Sequence, residues 1–129
     1  MEKAPPAYRQ LGPAVERMYQ FLLWLIPAVE KFPRSQKFLL GDRIQTTALD
    51  VQEYLLEATY TKARTRPLNG ANMGLEKLRM FFRLAYDLRY LDIRRYEHAA
   101  RSLDEVGRLV GGWIRQERTA RGGTDAPTP

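Results

Sequence analysis

Four stretches of this chain repeat apolar residues at alternating intervals of three and four, and that spacing confines it to helices that each bury one stripe. The first carries Val15, Met18, Leu22, Leu25, Val29 and Phe32. It opens at Gly12-Pro13, where proline suits the first helical turn, and it stops at Pro33. Pro27 removes one backbone donor inside it, so a kink is expected between Trp24 and Pro27 with the stripe kept in phase. The second stretch carries Ile44, Ala48, Val51, Leu55 and Ala58, with Phe38 as an earlier anchor, and is expected to end around Arg64. Arg66-Pro67-Leu68-Asn69-Gly70 reads as the clearest turn in the chain. The third stretch is Leu75, Leu78, Phe82, Ala85 and Leu88; the fourth places Tyr96, Ala99, Leu103, Val106, Val110 and Trp113 at heptad positions a and d. No glycine or proline separates these last two, so the turn is set near Leu91-Asp92, with Asp92 as the helix cap.

Alternating β-branched runs bounded by turns do not occur, so the predicted fold is all-α: four helices packed up-down-up-down around one core. With 129 residues there is room for a single modest core. Residues 12–117 form the predicted bundle, 1–11 a flexible N-terminus and 118–129 a polar, breaker-rich tail expected to be disordered. No apolar run approaches the roughly 18 residues of a membrane span. The opening Met1-Glu2-Lys3-Ala4-Pro5-Pro6 resembles neither a signal peptide nor a transit peptide, and a cytoplasmic location is expected. Cysteine is absent, which removes disulfides, thiolate nucleophiles and cysteine-based zinc sites from consideration.

A catalytic reading finds little to build on. His98 is the only histidine and is placed on the polar side of the fourth helix as an ordinary surface residue. Asp104 and Glu105 are sequence neighbours, which point about 100° apart on a helix and cannot clamp one ion or one scissile bond. The Glu-x-x-His motif of carboxylate bundles is missing. No enzyme activity, cofactor or metal is expected.

Charge carries more information. Lys and Arg total 21 against 15 Asp and Glu, a formal +6 dominated by arginine, the side chain suited to bidentate phosphate contacts and to stacking. Arg94, Arg101, Arg108 and Arg115 recur every seven residues at the f position, forming one row with a repeat of about 10 Å. Arg94 with Glu97, and Arg101 with Asp104 or Glu105, also have the spacing of weak helical ion pairs; Arg108 is followed at that spacing by Gly111 and Gly112. On the third helix Arg79, Arg83, Tyr86 and Tyr90 alternate charge and ring, which suits phosphate contact with base stacking or a protein interface. Lys31, Arg34, Lys37 and Arg43 surround the first turn as a weaker basic group. Gly107, Gly111 and Gly112 each cost about 1 kcal/mol against alanine within a helix. Close approach by a neighbouring helix or subunit would offset that, and together with Trp113 they are assigned to an oligomer interface. Trp24 is read as a core or interface anchor.

Several segments resemble the accessory variability determinant family of diversity-generating retroelements: Lys31-Phe32-Pro33-Arg34, Leu40-Gly41-Asp42-Arg43-Ile44, Gly74-Leu75-Glu76-Lys77-Leu78-Arg79 with Arg83-Leu84-Ala85, and Glu105-Val106-Gly107-Arg108-Leu109-Val110-Gly111-Gly112-Trp113-Ile114. The resemblance runs from about Tyr19 to Arg115, and its last motif is the most specific. It implies a four-helix protomer without a catalytic site, assembled into a ring-like pentamer with a positive surface. It further implies association with the element's reverse transcriptase and template RNA, in the complex that makes adenine-mutagenised complementary DNA. Arg79 and Arg83 fall in the family's basic helix-three motif and Arg108 in its helix-four motif. The Phe-Pro-Arg element is shared with bundle proteins encoded in ribosomal RNA intervening sequences. Such a protein, or an oligomeric scaffold without a nucleic-acid role, is the alternative. Binding to RNA or DNA is expected to be largely sequence-independent and salt-dependent, because nothing here is shaped to read a groove.

Overall fold

A computed structural model of the protein describes residues 11–125. They form an up-down-up-down bundle of four long helices, α1 (Pro13–Glu30), α3 (Asp42–Tyr60), α4 (Thr65–Asp87) and α5 (Ile93–Asp125), with a short α2 (Arg34–Gln36) and a π-helical turn (Lys37–Gly41) leading into α3. Around the bundle each helix meets two neighbours: α1 packs on α3 and α5, and α4 packs on α3 and α5. Cross-helix pairs show the antiparallel order: Gln52 with Val15, Gly70 with Tyr54, Arg79 with Leu103 and Trp24 with His98.

The core is built from the expected stripes. Met18, Leu25, Ile44, Val51, Leu55, Leu75, Leu78, Phe82, Leu103, Val106 and Val110 are buried, joined by Phe21 and Leu68, which lie outside the stripes read from the sequence. The α3 and α4 backbones approach closely where Gly74 faces Val51: a Cβ there would sit 2.4 Å from Val51 Cγ2. Gly70 faces the Tyr54 ring in the same way, at 2.7 Å. α1 runs without interruption through Pro27.

Five expectations are corrected. Phe38 is no core anchor: it is 69% exposed, because the π-helical turn carries it outward while Phe32 and Gly41 fill the inner side. α3 stops at Tyr60 instead of near Arg64, and Arg64 turns back, its Nε donating to the Ala58 carbonyl at 2.8 Å. The Arg66–Gly70 segment is the opening of α4, because the first four N–H groups of a helix need no intrahelical partner and Pro67 has none to offer. Leu88 is the exposed cap of α4. Finally, α5 continues through Arg118 to Asp125, since Gly122 and Gly123 tax a helix without forbidding it. Residues 1–10 and 126–129, which include most of the predicted N-terminal segment and the end of the predicted tail, lie outside the described residues.

The turn between α4 and α5 falls where Asp92 indicated. Asp92 Oδ1 accepts the Arg95 N–H at 2.9 Å and caps α5. On the other side, Tyr90 N–H donates to Ala85 O at 2.8 Å and Arg89 N–H to Tyr86 O at 2.9 Å, a Schellman closure with Arg89 at φ 66° in the left-handed position.

Candidate nucleic-acid and partner interface

The outer face of α5 presents Arg94, Arg101, Arg108 and Arg115, all exposed. Among the described residues none of the four forms an ion pair, so the helical pairs with Glu97, Asp104 and Glu105 suggested by spacing are not made. Two acidic residues on this helix are engaged elsewhere. Glu105 is bridged by Arg17 of α1, whose Nη2 also donates to the buried Ser102 hydroxyl at 3.2 Å, and Asp104 faces Arg79 of α4 at 3.4 Å. The row therefore carries no ion pair among the described residues, although the Arg108 charge still acts on the Glu105 carboxyl.

The helix-three stripe of the sequence, now on α4, divides. Arg79 is held inside the protomer: it pairs with Glu76 at 2.5 Å and reaches the Leu103 carbonyl at 3.3 Å. It also fills the notch at Gly107, where an added Cβ would lie 2.9 Å from its Nη2. Gly107 thus serves the α4–α5 contact, a use within the bundle that its assignment to a subunit interface overlooked. Arg83 projects outward, 3.9 Å from Asp87, with both side chains mostly exposed. Tyr86 stacks on Tyr96 with ring centroids 4.8 Å apart, and Tyr90 packs on Phe32 at 5.9 Å. Each ring has one face taken by the bundle, so these tyrosines close its end more than they offer a free stacking platform.

Gly111 and Gly112 differ from Gly107: a Cβ at either would meet only the Arg115 guanidinium, at 3.7 and 3.8 Å. Among the described residues nothing else lies within 4 Å of those two positions. Gly112 and Trp113 line a cavity of about 470 Å³ against the start of α1, which Arg108 shares. A smaller cavity of about 230 Å³ follows along the same groove, lined by Arg17, His98, Arg101, Ser102, Asp104, Glu105 and again Arg108.

His98 departs from the surface role expected of it. Its ring packs on Trp24 at 4.5 Å, and burial, with the Arg101 and Arg17 charges, holds its pKa below the usual histidine value despite Glu105. The Glu105 carboxyl is likewise held low, by the hydrogen bond and charge of Arg17. Arg17 and Ser102 escaped the sequence reading because their meeting crosses between helices 85 residues apart, where no periodicity within one helix can announce it.

No helix of the described residues is long and apolar enough to cross a membrane. No curated protein matches the chain. A family described as bAvd-like matches residues 14–117, which takes in all four long helices, the arginine row and the Gly-Gly-Trp motif. With this bundle, and with the motifs that resembled accessory variability determinants in place on it, the chain belongs to the bAvd-like family.

Proposed function

We propose that this chain is a non-catalytic accessory protein of a diversity-generating retroelement, binding the reverse transcriptase and template RNA or DNA through its basic surfaces to support mutagenic reverse transcription. Membership of the bAvd-like family supports the accessory role. The observation that carries the nucleic-acid part is the row Arg94, Arg101, Arg108 and Arg115, four exposed guanidiniums on one rigid helix with no ion-pair partner among the described residues. Arginine at a fixed spacing, left unpaired while nearby carboxylates are drawn to Arg17 and Arg79, suits a polyanion. Arg83, facing outward on α4, is the second basic contact and suits either RNA or the polymerase.

A homo-oligomer, a pentamer on the family resemblance, is part of the same proposal. Two apolar faces support it. Arg17 and Trp24 turn from α1 toward α5, which leaves Tyr19, Leu23 and Ile26 exposed on the opposite flank, beside Leu49 of α3. On α4, Met73, Met80 and Leu84 are exposed opposite the core positions Leu75, Leu78 and Phe82. Since α1 and α4 are diagonal in the bundle, one face of each protomer can meet the other face of the next, and such head-to-tail contacts close into rings. Repeating +6 around a ring concentrates cationic charge.

The test is salt-dependent binding. Four phosphate contacts on a single strand give a slope of about −2.8 in log K against log salt, a loss of about fiftyfold between 50 and 200 mM. Replacing Arg94, Arg101, Arg108 and Arg115 together by Ala should flatten that slope and release the RNA at moderate salt, with helicity unchanged. Full binding by the quadruple variant would remove the row from the interface. Co-purification with the polymerase of the same element tests the partner assignment, and its absence would favour a scaffold role.

A further inference from the structure

Arg108 lines two neighbouring cavities of unlike chemistry. On one side lies a charged cavity where Arg17 and Arg101 stand beside His98, Asp104 and Glu105; on the other, the largely apolar one with Pro13, Ala14, Leu109, Gly112 and Trp113. Both open along the groove where α5 passes α1. The apolar cavity, at about 470 Å³, falls within the roughly 300–1,000 Å³ of small-molecule sites. Of the two carboxylates in the charged cavity, Glu105 is bridged by Arg17 and Asp104 faces Arg79, which leaves the Arg101 and Arg108 guanidiniums without an ion pair among the described residues and able to meet an anion.

We infer that this groove holds a single nucleic-acid strand, with a phosphate on Arg101 and Arg108 and an unpaired base in the notch of Gly112 against Trp113. The inference rests on the nucleic-acid reading above and narrows it. A strand with unpaired bases carries both features at once, an anionic backbone and a detachable flat apolar ring, and the adjoining cavities match that pair. A duplex keeps its bases stacked inside and can use only the arginines. An acidic peptide likewise satisfies the arginines and gives the apolar notch no work. Glycine at 112 keeps the notch open: an added Cβ would meet only the Arg115 guanidinium, at 3.8 Å, so the missing side chain is not demanded by packing inside the protomer.

The full chain is titrated at low salt with a short oligouridine, with a duplex of the same length and with polyglutamate, following anisotropy and tryptophan emission. Trp24 packs on Phe21, Phe82 and His98, so the titrations are made on Trp24→Phe, which leaves Trp113 as the reporter. Oligouridine should quench the Trp113 emission and the other two probes should not. Gly112→Leu, which fills the notch from an open position, should weaken oligouridine about tenfold and abolish the quench, with duplex affinity unchanged. Arg108→Ala should weaken both nucleic acids. If Gly112→Leu binds and quenches like the parent, or if the duplex or polyglutamate quenches equally, the groove assignment falls while the broader nucleic-acid reading stands. If Gly112→Leu instead changes the oligomer size, the notch belongs between subunits and the inference is overturned. If the parent binds no polynucleotide at all, both readings fall.

Discussion

At Arg89 the backbone φ of 66° places a long side chain where glycine is the ordinary choice. The strain of about 1–2 kcal/mol is set against the extra entropy of about 0.5–1 kcal/mol that glycine would lose on folding. Arg89→Gly should therefore raise stability by about 0.5–1 kcal/mol, read as a higher urea midpoint with an unchanged m value. A lower midpoint would mean that the Arg89 stem contributes packing that exceeds the strain. Titration at the α1–α5 groove carries a second prediction. Burial, then Arg101 and Arg17, depress the His98 pKa in the folded chain, so the unfolded chain binds its proton at higher pH. The stability that neutral His98 contributes is complete above about pH 6.5 and is lost as the pH falls through the lower folded value. Glu105, held low by Arg17, adds a second loss of the same sign, beginning below about pH 4.3. In a proton NMR titration the His98 midpoint should lie below about 6.5, and Arg101→Gln should raise it only part of the way, because burial is the larger cause. A midpoint at or above the free-histidine value would contradict the packing on Trp24.

Glycines inside helices separate what periodicity reveals from what it hides. Gly74 lies at the α3–α4 crossing, where a Cβ would come to 2.4 Å from Val51 Cγ2. Gly74→Ala should therefore lower stability, since overpacking of about 1–3 kcal/mol outweighs the alanine gain of about 1 kcal/mol in helix propensity. Thermal melting checks this, with Gly111→Ala as the control, because position 111 has room and should gain stability. The sequence alone made all these glycines look alike. Spacing of apolar residues located the four helices, most of the core, the outward α5 row and the Asp92 cap, because those features are periodic within one helix or local to one turn. It misjudged Arg66–Gly70, where a proline and a glycine resemble a turn although Pro67 sits in the permissive opening of α4 and Gly70 makes room for Tyr54. It also missed that Arg79 occupies the Gly107 notch and that Arg17 meets Glu105 and Ser102, since such pairings depend on how helices face one another. Most of the fold was thus legible in advance, and about half of the candidate site: the exposed row was, while the groove beside it, built from two helices, was not.

For the whole molecule the proposed assembly turns on whether the two apolar faces meet each other or themselves. Leu23 on the α1 side is 54% exposed and Met80 on α4 is 57% exposed, so a charge at either position should leave the protomer folded. In a ring of head-to-tail contacts each protomer uses both faces, one toward each neighbour. Leu23→Glu spoils one and Met80→Glu the other, and either variant alone should run as a monomer on sizing with its helicity intact. Mixed in equal amounts, they bring together one intact α1 face and one intact α4 face. Head-to-tail pairing then predicts a heterodimer that grows no further, because each remaining face is spoiled. Faces that pair with themselves would instead leave each variant dimeric through its undamaged face, with no new species on mixing. Parent-sized assemblies from either variant would place the subunit contact elsewhere, with the half-buried Gly111 surface of α5 the next place to look.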